Sequence, residues 1–117
     1  MVRAVYRWRV QAGQEAVFVQ AWRQGTAAMR AGVRGAGGSL LMQSYDAPSE
    51  FMALACWASM EAWQAFTERR GAAPDPEAFQ ALAAVSELVS TELLEEKADL
   101  LDCSWEPDAR LGLQPPA

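Results

Sequence analysis

The segment VRAVYRWRV, residues 2 to 10, changes character at every step, and no other feature of the chain restricts its fold as tightly. Ala4, Tyr6, Trp8 and Val10 point one way while Arg3, Val5, Arg7 and Arg9 point the other, the period of a β-strand with two unlike faces. QAGQ then turns the chain. From Gln14 the period switches: Val17, Phe18, Ala21, Trp22, Ala28 and Met29 fall on one face at helical spacing, and this helix is expected to stop near Gly32.

The glycine-rich stretch GVRGAGGS, residues 32 to 39, invites a phosphate-loop reading. Nucleotide-binding glycines follow a strand and open a helix, whereas here a helix precedes and a strand follows, with no Gly-Lys-Ser/Thr. The loop reads instead as a helix end, where glycine accepts a left-handed backbone. Strand two is predicted over residues 39 to 46, a turn at APSE, and strand three at FMALACWA, residues 51 to 58, the two pairing as a hairpin. Ser59 is a good N-cap for a second helix carrying Ala62, Trp63 and Phe66 on its apolar side. RRGAAPDP interrupts that helix, and Asp75-Pro76 restarts one, with Phe79, Leu82, Ala83, Val85, Leu88 and Val89 as its apolar face. ADLLDCSW, residues 98 to 105, reads as the fourth strand. The domain is expected to span residues 1–106, with a Pro- and Gly-containing tail at 107–117 that is loose or docks on a partner. The order strand, helix, strand, strand, helix, strand is the split βαβ unit: an α+β, ferredoxin-like (βαββαβ) four-stranded antiparallel sheet with helices on one face.

Charge and composition remove several function classes. With Lys+Arg 10 against Asp+Glu 15 the net charge is -5, so phosphate backbones and anionic lipid would repel the chain, and no nucleic-acid partner is expected. Charges interrupt the N-terminal strand, and FMALACWA is far shorter than the roughly 20 apolar residues of a spanning helix. The expectation is a soluble cytoplasmic protein with no membrane partner. Cys56 and Cys103 stand alone in apolar runs, which suits reduced, buried thiols and no zinc site. His 0 excludes Ser-His-Asp and Cys-His triads and any His-based metal site, so no metal is expected. Carboxylate pairs such as Glu95 with Glu96, or Glu61 with Glu68, suit solvated helix faces.

YRWRVQAGQEAVFVQAW, the hairpin and CWASMEAWQAF together resemble the antibiotic biosynthesis monooxygenase domain family over about residues 2 to 105. The resemblance implies a homodimer in which two four-stranded sheets pack as a dimeric α+β barrel, with a small-molecule pocket between sheet and helices in each subunit. With Tyr6 and Trp8 towards the helices, Arg3, Arg7 and Arg9 would face the partner sheet or solvent, neutralised by acids of strand four or the other subunit. The usual strand order of the fold, 4-1-3-2, puts Cys56 and Cys103 on either side of strand one, too far apart for a disulfide.

Haem-degrading members of that family resemble one another in a strand-one Asn, a Trp on the second helix and a His soon after it. Here those positions hold Tyr6 and Phe66, with Trp63 one turn earlier, and the missing His removes the usual proximal ligand. Haem degradation is disfavoured. What the resemblance leaves is a cofactor-independent monooxygenase acting on a small aromatic, phenolic or quinol-type substrate, which the protein need only orient, make acidic and shield from water. Tyr6 is the candidate hydrogen-bonding residue and Arg69, or its neighbour Arg70, the candidate charge for a developing phenolate. Trp8, Trp22, Met42, Trp63 and Phe66 are candidate substrate-binding walls, and Tyr45 is a second, weaker phenol. Plain core packing is the competing reading for Trp22, Phe18 and Trp57, and in part for Trp63 and Phe66. At the level of function the competitors are a non-catalytic dimeric binding or stress-response protein of the same fold, and an isomerase or cyclase.

Overall fold

The computed structural model describes residues 1–68 and 73–101, so Arg69, Cys103 and the tail at 107–117 lie outside the described residues. The alternating N-terminal segment forms β1 (Val2–Val10), the inner strand that pairs antiparallel with both β3 (Glu50–Trp57) and β4 (Ser86–Glu95). β2 (Ala36–Gln43) pairs antiparallel with β3 as the predicted hairpin, completing the order β2-β3-β1-β4. That is the ferredoxin-like order.

Helices α1 (Glu15–Gly32), α2 (Met60–Glu68) and α3 (Pro76–Ala84) lie over one face of the sheet. Both predicted caps form. Ser59 Oγ accepts the Ala62 N–H at 3.1 Å at the head of α2, and Asp75 Oδ1 accepts the Ala78 N–H at 3.1 Å at the head of α3, where Pro76 fits a first-turn site needing no donor. The glycine loop does end a helix, but its left-handed residues are Gly35 (φ 86°) and Gly38 (φ 96°), and β2 begins at Ala36, earlier than predicted. Gly35 is tightly placed: a Cβ there would stand 2.5 Å from the Ala62 Cβ, which lets β2 run beneath the start of α2.

The fourth strand corrects the sequence reading. It occupies residues 86–95 rather than 98–105; Ala98–Leu101 form no strand, and 102–105 lie outside the described residues. Val85, Leu88 and Val89 therefore do not extend the helical face of α3, which ends at Ala84. A bulge explains the misreading. Arg7 pairs with Ser90 and Trp8 with Leu88, so Val89 is an extra residue in the ladder, and two apolar residues stand in sequence where alternation would place one.

Register divides the sheet into rows. Ala4, Ala55 and Ser39 share one helix-side row, and Tyr6, Ala53 and Leu41 the next. The buried core is split towards two ends of this face: Ala4, Ala55 and Trp57 pack with Met29, Ala62, Trp63 and Phe66, while Val10, Phe18 and Phe51 pack with Trp8, Leu41 and Leu82. Trp57 and Phe18 are the largest fully buried side chains, so for them core packing is the correct reading. On the opposite face Leu40, Leu54 and Val5 align in one row and Met42, Met52 and Arg7 in the next. Arg7 and Arg9 approach Glu92 and Glu87 of β4 at 3.8 and 3.9 Å, and Arg3 Nε donates to Glu96 at 2.7 Å, the neutralisation expected of the arginine face.

Candidate active site

Between the two core clusters lies a cavity of about 950 Å³, within the range of small-molecule sites. Small side chains create it. Ala53 and Ala55 of β3 form its floor, Ala21 of α1 adds little bulk above, and Gly25 lets the Phe79 ring close against α1, where a Cβ would stand 3.3 Å from it. Trp22 of α1, Trp63 and Phe66 of α2 and Phe79 of α3 wall it, with Tyr6 and Trp8 rising from β1. Five predicted site residues, Tyr6, Trp8, Trp22, Trp63 and Phe66, are thus brought together.

Tyr6 is the chemical centre of the arrangement. Its hydroxyl oxygen accepts the Trp63 Nε1–H at 3.2 Å, and its ring stacks on Trp8 with centroids 5.9 Å apart. Burial pushes the phenol above its ordinary value of 10.0, and the hydrogen bonds from the Trp63 and Trp57 indoles offset only part of that shift. Tyr6 is therefore a neutral donor at physiological pH and not a base. With the Trp63 indole N–H directed at its oxygen, its own proton is the group left to address a ligand. Trp57 and Phe66 lie ring to ring at 5.7 Å, which fixes the α2 wall against the sheet.

One predicted wall residue stands elsewhere. Met42 does not line this cavity: Leu41 packs into the core on the helix side, so the period of two sends Met42 to the opposite face, beside Met52 in a smaller hollow of about 360 Å³. Arg69 lies outside the described residues, as does Arg70. Tyr45 is fully exposed in the β2–β3 turn and takes no part. Cys56 is a half-buried free thiol that donates to Met1 Sδ at 2.8 Å.

Sequence reasoning missed Thr26 and Arg30, which line the cavity one and two turns beyond Trp22. The signal was present as four-residue spacing, but a search for apolar periodicity passes over polar residues on the same stripe. Arg30 is the single charged side chain lining the cavity among the described residues, and no carboxylate joins it there.

The family model for antibiotic biosynthesis monooxygenases matches residues 1–85, from β1 through α3. The chain belongs to this family. The match includes both Tyr6 and Trp63, which meet across the cavity. Solved structures agree on the fold. SnoaB, a cofactor-independent oxygenase from Streptomyces nogalater, superposes with a TM-score of 0.68 at 24% identity, over 86% of this chain and 97% of its own. A candidate antibiotic biosynthesis monooxygenase from Bordetella bronchiseptica gives 0.68 at 20% identity, over 81% and 95%. Another, from Deinococcus radiodurans, gives 0.62 at 17% identity, over 87% and 97%. No curated protein matches the chain. Among the described residues of this family member, no helix is long and apolar enough to cross a membrane.

Proposed function

We propose that the protein is a cofactor-independent monooxygenase of a small aromatic compound of the phenol, quinol or anthrone type, working as a cytoplasmic homodimer. The observation that carries the reading is the Tyr6 hydroxyl, held by the Trp63 indole inside an aromatic cavity whose described lining has no carboxylate and no imidazole. Such a wall suits a substrate that supplies its own electrons. An anthrone-type CH₂ loses a proton to solvent as it enters the cavity, giving an anion whose charge rests on the ring oxygen, and the Tyr6 O–H stabilises that oxygen by donating to it. The anion passes one electron to O₂, the resulting radical and superoxide join in a C–O bond, and the peroxide takes up a proton. Loss of water then leaves the ketone, so one oxygen atom enters product and the other leaves as water. The protein's share is to orient the ring between Trp22, Trp63 and Phe66, exclude water and hold the oxyanion.

Arg69, which follows α2 in the sequence, is proposed to assist the oxyanion by charge. Oxygen uptake with a panel of dihydroxynaphthalenes and anthrones tests the whole reading. Uptake above the uncatalysed rate should fall about 100-fold in kcat for Tyr6→Phe, the usual scale for losing one oxyanion donor. A binding protein with the same cavity is the competing reading, favoured by the lack of a general base among the described lining residues. Ligand binding without any uptake across the panel would decide for it.

A further inference from the structure

The charge of the cavity says more about its ligand than its volume does. The chain carries a net charge of -5, yet the one charged side chain lining the cavity among the described residues is a cation, Arg30. Helix geometry puts it there: Trp22, Thr26 and Arg30 recur at four-residue spacing on α1 and line the cavity together. At 1.5 Å per residue this stripe runs about 12 Å, comparable to the length of a fused-ring ligand with one substituent. The arginine stem lies along β2 beside Gly38: a Cβ there would stand 3.4 Å from Arg30 Cδ and 3.8 Å from Nε, an ordinary contact, and it is the φ of 96° that calls for glycine. The ion pairs among the described residues engage Arg3, Arg7, Arg9 and Lys97, which leaves the Arg30 guanidinium uncommitted there. Arg30 also complements the dipole at the last turn of α1, a role that does not require the cavity beside it.

The geometry points to Arg30 as a specificity-determining residue that receives an anionic substituent, a carboxylate, on a substrate whose rings lie along Trp22 and Trp63. This assignment rests on the cavity being the substrate site. A planar guanidinium matches a carboxylate in shape as well as charge, whereas a neutral ester or amide gains little from it.

Calorimetric titration of 6-hydroxy-2-naphthoate and of its methyl ester, into the wild-type protein and Arg30→Gln, tests it without reference to turnover. Arg30 is exposed, so the wild type should bind the acid about threefold more tightly than the ester, the scale of an exposed ion pair, and high salt should shrink that preference. In Arg30→Gln the acid should weaken to the level of the ester while the ester is unchanged, and Arg30→Lys should keep part of the preference. Equal affinities for acid and ester in the wild type would overturn the role of Arg30 and leave the cavity reading intact. Weakening of both ligands by the same factor in Arg30→Gln would also overturn it, since that is the mark of a merely structural residue. If neither ligand binds the wild type, the cavity reading falls and the assignment with it.

Discussion

Tyr6 and Tyr45 are the two tyrosines of the chain, and their surroundings could hardly differ more. Tyr45 is bathed in water, while burial holds Tyr6 above the ordinary value of 10.0. Alkaline titration followed at the tyrosinate absorbance should place the Tyr6 step, identified by its loss in Tyr6→Phe, above the ordinary phenol value; a Tyr6 step at or below that value would contradict the buried phenol. The same shift fixes a sign for stability. The native state keeps a proton that the unfolded chain has already lost, so the contribution of Tyr6 is complete below about pH 10 and declines as pH rises through its folded value. Urea midpoints measured on either side of pH 10 should fall more steeply for wild type than for Tyr6→Phe. Tyr6 was legible in the sequence because alternation in β1 fixes its face without outside help. Met42 was not, because Leu41 and Met42 are both apolar and only pairing with β3 decides which of them turns inward.

Among the elements, the helices announce their starts chemically and the last strand conceals its own. Asp75 caps α3 through the Ala78 N–H, and Asp75→Ala should cost about 1 kcal/mol in urea denaturation with the slope unchanged. A loss too small to measure would mean the cap is replaced by water. Such caps can be read from local residue types, as can the β2–β3 hairpin from its Pro-containing turn. β4 cannot, since its Val89 bulge breaks the period of two, and the apolar residues of α3 run into it at spacings that also suit a helix. Long-range pairing with β1 settles the matter, and no local pattern contains that information. Arg30 escaped notice for a related reason: the role proposed for it depends on the cavity it lines, which elements distant in sequence build together.

At the scale of the whole molecule, the helix-free face of the sheet bears directly on the proposed homodimer. Leu40, Leu54, Val5, Met42 and Met52 form an apolar band across β2, β3 and β1, with Leu40 and Met42 well exposed and arginine–glutamate pairs flanking the band on the β4 side. A second copy seated there would bury the band, and charge at its centre should prevent this. Light scattering after gel filtration is expected to give a dimer for the wild type and a monomer with native circular dichroism for Leu54→Glu; a monomeric wild type would count against the barrel. The division of the core has a different consequence. Trp57 anchors one cluster and Phe18 the other, whereas Ala53 belongs to neither and simply floors the space between them. Ala55 serves both the first cluster and the floor, so Ala53 is the floor position least tied to either cluster. A family built on this plan can exchange one methyl group for a larger side chain at Ala53, and so revise what it accepts, while the residues that hold it folded keep their places.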